Sequence, residues 1–144
     1  IDEIPKIFTN NTKEIKFIKE KKNKDLQIIA NKNKLVQVFV NLIENSISLS
    51  PKRSKILIKL SEEEKNKIFI KIYDQGQVIE VNDLERIFER FYSDRKDDAN
   101  NHTGLGLSIA REIINHMNGT LKALQSDNIE YSGACFLIVL PIKT

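Results

Sequence analysis

The sequence predicts a two-layer α/β sandwich of the α+β type, in which a mixed, largely antiparallel sheet of about five strands carries three helices on one face. Several short segments alternate apolar and polar residues, which is the spacing of a half-buried strand. Three longer segments repeat apolar residues at the spacing of an amphipathic helix. The order of these segments fits neither a repeated β-α-β ladder nor an all-β fold.

Length and composition fit one domain with its own hydrophobic core. Of the 144 residues, 40% are hydrophobic and 30% are charged, and a domain of this length buries roughly 68–70% of its unfolded surface. A single cysteine excludes a disulfide framework and a multi-cysteine zinc site. The longest apolar run, Ala134 to Leu140, is too short to cross a membrane. The net charge of +3 is too balanced to indicate a nucleic-acid partner.

The first predicted elements are two helices with a short strand between them at residues 26–30. From Asn10 to Lys22, Ile15 and Ile18 among many lysines predict a solvated amphipathic helix. From Asn33 to Leu49, a second helix ends just before a Ser-Pro pair, because the residue before proline avoids the α region. The core-facing stripe of this second helix is Leu35, Val38, Phe39, Leu42 and Ser46.

A predicted β-hairpin follows. Residues 54–60 and 67–73 each place three apolar side chains on one face by strict alternation. The charged segment 61–66 joins them, so the two strands are expected to pair antiparallel through a longish loop.

The last third of the chain completes the sheet. A short helix is predicted over Asn82–Phe91 and a longer one over Leu107–Met117, which ends at Asn118-Gly119 in a left-handed cap. Two further strands, residues 120–125 and 134–140, are separated by a polar turn.

Two asparagines of the second helix are candidate ligands for a metal that nucleotide phosphates accompany. Asn41 and Asn45 are four residues apart, so both amides project from one side of the helix. An amide oxygen is a neutral ligand, which suits Mg²⁺ whose charge is already balanced by phosphates. The alternative is that they are ordinary polar residues at the edge of the helix.

An aspartate at a strand end is a candidate ligand for a nucleotide base. Asp74 directly follows the second strand of the hairpin, and Gly76 after it allows the backbone to approach a ligand closely. The carboxylate could accept a hydrogen bond from an exocyclic amine such as that of adenine. The alternative is an ordinary Asp-x-Gly turn.

Two further segments carry candidate features. Gly104 and Gly106 precede a helix whose first amides are free to bind phosphate, and the polar segment Ser93–Asn101 before them is expected to be a mobile lid. A flexible entry turn is the alternative. In the segment Leu84–Tyr92, aromatic and charged residues alternate, and core packing is the expected role of Ile87, Phe88 and Phe91.

Taken in order, these four segments resemble the ATP-binding catalytic domain of sensor histidine kinases, within the superfamily that includes type II topoisomerases, mismatch-repair ATPases and heat-shock chaperone ATPases. Gln37–Ser46 is similar to the N box, Asp74–Ile79 to the G1 box, Phe88–Tyr92 to the F box and Thr103–Ala110 to the G2 box. The resemblance covers nearly the whole chain, and Gly133–Pro141 is similar to the last strand of that family.

The resemblance implies roles for individual residues. Asn45 would coordinate Mg²⁺ and Asn41 would support the triphosphate side of the site. Asp74 would bind the adenine amino group, with Gly76 close to the base. Glu44 could orient or deprotonate a nucleophile, or could be an ordinary glutamate on the helix surface. The remaining nucleotide-binding residues would be Ile79, Arg95 as the cation of the lid, Thr103, Gly104, Leu105, Gly106 and Leu107.

The sequence departs from the family pattern at three positions. Val78 stands where the G1 box usually has a second glycine, and Ser48 stands where a basic residue often follows the N box. His102 replaces a glycine before the G2 box. A valine held at positive φ would cost about 1 kcal/mol or more, so Val78 implies another turn conformation or weaker nucleotide binding.

The resemblance also implies a function. Residues 1–144 would be one catalytic domain excised from a longer kinase, since neither His102 nor His116 has the sequence context of a phosphoacceptor. The domain would bind Mg-ATP and phosphorylate a histidine on a separate domain of the same or a sister chain, which would pass the phosphoryl group to a response regulator. We expect a monomeric cytoplasmic domain, with anchoring of the parent in the inner membrane left open.

Two other functions remain open at this stage. A degenerate domain could bind a nucleotide or a partner without phosphoryl transfer, as Val78 and Ser48 suggest. An ATP-hydrolysing domain of the topoisomerase type is the less favoured alternative. Those enzymes activate water with a glutamate four residues before the metal-binding asparagine, where this chain has Asn41.

Overall fold

The computed structural model describes residues 14–21, 32–64, 66–90 and 106–141. In these residues, each of two α-helices is preceded and followed by strands, five in all, with two short 3-10 turns before the second helix. The elements are β1 (Lys16–Lys21), α1 (Lys32–Leu49), β2 (Lys55–Glu64), β3 (Lys67–Tyr73), the 3-10 turns Val81–Asp83 and Arg86–Phe88, α2 (Gly106–His116), β4 (Thr120–Gln125) and β5 (Ala134–Pro141).

The five strands form one sheet in the order β1-β2-β3-β5-β4. β1 pairs with β2 in parallel, and the three other pairs are antiparallel. The predicted hairpin is present, with Leu57 opposite Tyr73 and a register irregularity between Ser61 and Glu64. The predicted mixed, largely antiparallel sheet in a two-layer sandwich is therefore confirmed.

The alternation of β2 and β3 turns one face of the sheet toward the helices. Ile58, Ile70 and Ile72 of this face are each no more than 2% exposed, and they belong to one core cluster with helical residues such as Phe39 and Ile114. Burial of each such side chain contributes roughly 1.5–3 kcal/mol. This apolar layer attaches both α-helices to one side of the sheet.

A smaller cluster covers part of the opposite face. Leu57, Tyr73 and Cys135 lie there under Tyr131, which comes from the connection between β4 and β5. The Tyr73 hydroxyl donates a hydrogen bond of 2.8 Å to Asp127 of the same connection. Burial raises the pKa of the Cys135 thiol to about 11, so this cysteine is a packed, unreactive group.

The helix predicted over Asn10–Lys22 is wrong for residues Lys16–Lys21, which form β1. The prediction rested on Ile15 and Ile18, three residues apart. The pattern that decides the fold is instead Ile15 and Phe17, two residues apart, which face the core while Ile18 is 38% exposed. Pairing with β2 also satisfies the backbone of this segment. The strand predicted at 26–30 lies outside the described residues.

The other helical predictions are confirmed with small changes. The predicted short helix at Asn82–Phe91 is a pair of 3-10 turns in its described part. α2 ends as expected, because Asn118 adopts φ 62° and the Gly119 amide donates to the Ile114 carbonyl at 3.0 Å. In the part of the chain that the structure describes, no helix is both long and apolar enough to span a membrane.

Gly119→Ala should destabilise the fold through a steric clash where α2 passes to β4. An added Cβ would lie 2.5 Å from the Val139 carbonyl oxygen and 2.6 Å from Leu140 Cδ2. We expect the free energy of unfolding, measured with urea, to fall by about 1–3 kcal/mol.

Gly106→Ala is the matched control, because among the described residues its Cβ would come no closer than 3.9 Å, to Asn41. Its free energy of unfolding should change by less than about 1 kcal/mol. Equal losses in the two variants would show that close packing at Gly119 is not the cause.

Candidate functional site

The carboxyl group of Asp74 is held rigidly where β3 ends. Its side chain is fully buried, at 0% exposure. Oδ1 accepts hydrogen bonds of 2.9 Å from the backbone amides of both Gly76 and Ala134. The Asp74 amide donates in turn to the Ala134 carbonyl at 3.1 Å, which extends the β3–β5 pairing by one residue. The orientation of the carboxylate is therefore set by the sheet itself.

Two glycines make room for this arrangement. A Cβ on Gly76 would lie 2.6 Å from the Leu49 carbonyl oxygen, at the end of α1. A Cβ on Gly133 would lie 2.2 Å from Asp74 Oδ1 and 2.5 Å from the Gly76 amide nitrogen. Sequence analysis named Gly76 but gave Gly133 only a place in the last strand. The signal for its role is a glycine directly before a buried strand.

The other oxygen of Asp74 is not held in the same way. Among the residues that the structure describes, the buried Oδ2 finds no hydrogen-bond partner, and neither does the Ser46 hydroxyl oxygen on α1. The Ser46 hydroxyl lies near enough to the Asp74 carboxyl to lower its pKa as a weak donor, although the pair does not reach the geometry of a full hydrogen bond. A buried polar group without a partner costs about 1–3 kcal/mol, so two together indicate a place where a ligand or water binds.

Ser46 was not among the predicted site residues. Its spacing along α1 put it in the core-facing stripe, and it is indeed fully buried. Periodicity shows that a residue faces inward, but not that a particular carboxylate from another element faces it there.

Burial raises the pKa of Asp74 above its ordinary value of 3.8, and the hydrogen bonds from the Ala134 and Gly76 amides oppose this rise. The upward shift shows that desolvation outweighs the two amide bonds. Ligand donors that reach Oδ2 would favour the ionised form, because they would replace the water that this oxygen has lost.

The two helices meet at the predicted metal and phosphate side of the site. The Asn41 side-chain amide donates to the Gly106 carbonyl at 3.1 Å, and so joins α1 to the first residue of α2. Asn45 lies one turn further along α1 and is half-buried, whereas Glu44 is exposed. The Asn41 side chain therefore bonds the backbone of α2, a contact that was not part of its predicted role beside the triphosphate.

Several predicted residues can be placed and others cannot. Gly106 and Leu107 begin α2, and Leu107 and Ile79 pack half-buried against the main core. Phe88 is buried and contacts Phe136 edge-on, as expected of a packing residue. Four candidate site residues lie outside the described residues: Arg95, Thr103, Gly104 and Leu105. The predicted lid Ser93–Asn101, with Phe91, Tyr92 and His102, lies outside them too.

The two departures that can be examined prove structurally mild. Val78 is 56% exposed, and its φ is not positive, so the turn uses a conformation that a valine adopts without strain. The Ser48 hydroxyl donates to the Asn45 carbonyl at 2.8 Å, near the end of α1.

Among the residues that the structure describes, no cluster of three or more His, Cys, Asp or Glu side chains could hold a metal ion.

Asp74 gives the stability of the protein a predictable dependence on pH. Because its folded pKa is raised, its contribution to the free energy of unfolding is fully present below the unfolded value of 3.8 and is lost as pH rises through the folded value. Urea unfolding of wild type and Asp74→Asn should therefore show wild type losing stability relative to the variant as pH rises from 3.8.

Asp127→Asn supplies a control of opposite sign. The hydrogen bond from Tyr73 holds the pKa of Asp127 below 3.8, so its contribution is present above that value and is lost as pH falls. The free energy of unfolding of wild type minus that of Asp74→Asn should fall as pH rises. A difference that stays constant or increases with pH would show that the pKa of Asp74 is not raised.

Comparison with known proteins places the chain among nucleotide-binding domains. The family described as "Histidine kinase-, DNA gyrase B-, and HSP90-like ATPase" matches residues 30–144. The sensor histidine kinase WalK of Bacillus subtilis is 34% identical over 134 residues, which cover 90% of this chain and 21% of that protein. Sensor protein ChvG of Rhizobium meliloti is 38% identical over 110 residues, which cover 73% of this chain and 19% of that protein.

Solved structures show the same fold. The mycobacterial sensor histidine kinase MprB matches with a TM-score of 0.85 at 23% identity, covering 99% of this chain and 91% of that chain. The catalytic domain of histidine kinase ThkA matches with a TM-score of 0.81 at 27% identity, covering 97% of this chain and 90% of that chain. With the family match over residues 30–144, these findings show that the chain belongs to the histidine kinase-, DNA gyrase B- and HSP90-like ATPase family.

Proposed function

We propose that this chain is the ATP-binding catalytic domain of a sensor histidine kinase. It binds Mg-ATP and delivers the γ-phosphoryl group to a histidine on a separate dimerisation domain. The family match and the sensor-kinase relatives support this function. The chain spans only 21% and 19% of the lengths of the two relatives described above, so the parent protein has further parts in this proposal.

The observation that carries the proposal is the unpartnered oxygen of Asp74. Oδ2 is a buried acceptor whose direction is fixed by two amide bonds to Oδ1. An exocyclic amine such as that of adenine supplies the missing donor, and the Ser46 hydroxyl beside it can donate to or accept from a ring nitrogen or a water. A base with a carbonyl oxygen at that position would meet the carboxylate with a second acceptor, so adenine is favoured over guanine.

The phosphate side of the proposed site is the beginning of α2. The first amides of a helix have no partner within the helix and carry a partial positive charge, which favours phosphate. Gly106 and Leu107 begin this helix, and the hydrogen bond from Asn41 fixes that end against α1. We propose the same phosphate-binding role for Thr103, Gly104, Leu105 and Arg95.

The residues on α1 fit a magnesium ion that arrives with the nucleotide. Asn45 offers a half-buried neutral oxygen, which suits a cation whose charge the phosphates balance. When bound, the ion neutralises charge on the phosphate oxygens. Glu44 is exposed beside Asn45, so it can orient or deprotonate the incoming histidine from the solvent side.

The proposed partners are a phosphoacceptor histidine domain, on the same or a sister chain, and a response regulator. A structure of histidine kinase ThkA in complex with the response regulator TrrA, 26% identical and with a TM-score of 0.80, supports the second partner. His116 of this chain lies near the end of α2 with Nδ1 at 2.8 Å from the Glu112 carbonyl, and the proposal gives it no role in the transfer because it lacks the sequence context of a phosphoacceptor. We place the domain in the cytoplasm, where ATP is available.

A degenerate domain that binds a nucleotide without transferring its phosphoryl group is the second candidate. Ser48 favours it, because the hydroxyl that replaces the basic residue is bonded to the Asn45 carbonyl and supplies no charge. Transfer of labelled phosphoryl from ATP to a histidine of the parent protein would exclude this candidate. ATP binding without any transfer would establish it.

The nucleotide site is tested by titrating the chain with a fluorescent ATP analogue and Mg²⁺. In Asp74→Asn, an amide NH₂ can replace Oδ2 and face the adenine amine donor to donor. We expect the variant to bind at least about tenfold more weakly, since a hydrogen bond to a charged group contributes about 1.5–3 kcal/mol.

Asp127→Asn is the matched control, because this aspartate bonds Tyr73, whose side chain packs in the cluster on the opposite face of the sheet. It should bind the nucleotide as wild type does. In the same titration, Asn45→Ala should remove most of the gain in affinity that Mg²⁺ gives. Absence of saturable binding to wild type, or equal binding by Asp74→Asn, would overturn the proposed function.

A further inference from the structure

A cluster of charged and aromatic groups joins α2 to two neighbouring elements. Its centre is Arg111, and its other members are Glu85, Phe88 and Leu121; we call these four residues the Arg111 junction. None of them was predicted as a functional residue. The junction connects α2 to the 3-10 turn Arg86–Phe88 and to the edge strand β4.

Arg111 uses most of its hydrogen-bonding capacity in the junction. Its two terminal nitrogens bond the two carboxylate oxygens of Glu85, one of them at 3.1 Å. Its Nε donates to the Leu121 carbonyl at 3.2 Å. Paired contacts of a guanidinium fork with a carboxylate fix direction as well as distance, so this side chain adds a directional constraint on α2 to the apolar packing that attaches the helix to the sheet.

An aromatic ring provides the base on which the guanidinium lies. The Arg111 guanidinium carbon lies 4.2 Å from the centroid of the Phe88 ring. Phe88 is only 6% exposed and contacts Phe136 of β5 edge-on, with ring centroids 6.3 Å apart. The charged group is therefore stacked on a ring that is itself packed against β5, an interior strand of the sheet.

The position of the junction along the chain links it to the proposed phosphate site. The chain enters segment 91–105 shortly after Phe88 and leaves it at Gly106, where α2 begins. Arg111 lies on α2 itself and bonds Glu85, which precedes the turn. The junction thus ties together the two described elements that flank this segment. A rotation of α2 would break its contacts and turn the first amides of the helix.

We propose that Arg111 is a positioning residue for the phosphate end of the nucleotide, acting through Glu85 and Phe88 to hold the beginning of α2 in its binding orientation. This inference rests on the proposed function. Arg111 does not touch the nucleotide in this account. Asp74, which binds the base, is fixed separately by the β3–β5 pairing.

Because the base and the phosphates are held by different elements, the role of Arg111 can be tested with one ligand that has phosphates and one that lacks them. A general loss of structure would weaken binding of both ligands. Affinities for ATP and for adenosine are measured by NMR titration on wild type, Arg111→Lys and Glu85→Ala. Lysine keeps the charge but lacks the planar fork. Glu85 is 77% exposed, so its truncation leaves the core intact. Both variants should bind ATP about tenfold more weakly, while adenosine affinity stays within about twofold of wild type.

The control is Glu112→Gln, which removes an exposed negative charge one residue further along α2. It should bind both ligands as wild type does. Unchanged ATP affinity in folded Arg111→Lys and Glu85→Ala would overturn the inference, and so would an equal loss of ATP and adenosine affinity. Failure of wild type to bind either ligand would instead overturn the proposed function.

Discussion

The structure of the site depends on one constraint, the two backbone amides that hold a single oxygen of Asp74. Ala134 and Gly76 donate to Oδ1, which leaves Oδ2 buried and available. The cost of that unpartnered oxygen is offset by the packing of a core whose main side chains are almost wholly buried. The fold therefore stabilises an acceptor that is satisfied only when a ligand donor or a water reaches it.

The two ends of the proposed nucleotide are fixed by different parts of the fold. The base end relies on the β3–β5 pairing and on two glycines that let α1, the turn after β3 and the start of β5 approach closely. The phosphate end relies on α2, which Asn41 holds from one side and Arg111 from the other. In the proposed function, this division would let one small domain position the base and the phosphates of a nucleotide independently.

Regular periodicity made most of this architecture predictable. The β2–β3 hairpin, both described α-helices and the left-handed cap at Asn118 follow from local spacing. β1 was not predicted, because Ile15 and Ile18 fit helical spacing and the segment is a strand only through its pairing with β2. Asp74 was predictable because it precedes a glycine at a strand end. The roles of Gly133 and Ser46 were not, because they depend on proximity to the Asp74 carboxyl in the folded chain. Arg111 was missed for the same reason, since its partners are remote in sequence.

We propose that Asp74 Oδ2 accepts a hydrogen bond from the exocyclic amine of adenine. The most direct measurement is calorimetric titration of the chain with ATP and with purine riboside triphosphate, which carries hydrogen in place of that amine. The analogue should bind at least about tenfold more weakly than ATP, because the buried carboxylate oxygen stays unpartnered. Equal affinities for the two nucleotides would contradict it.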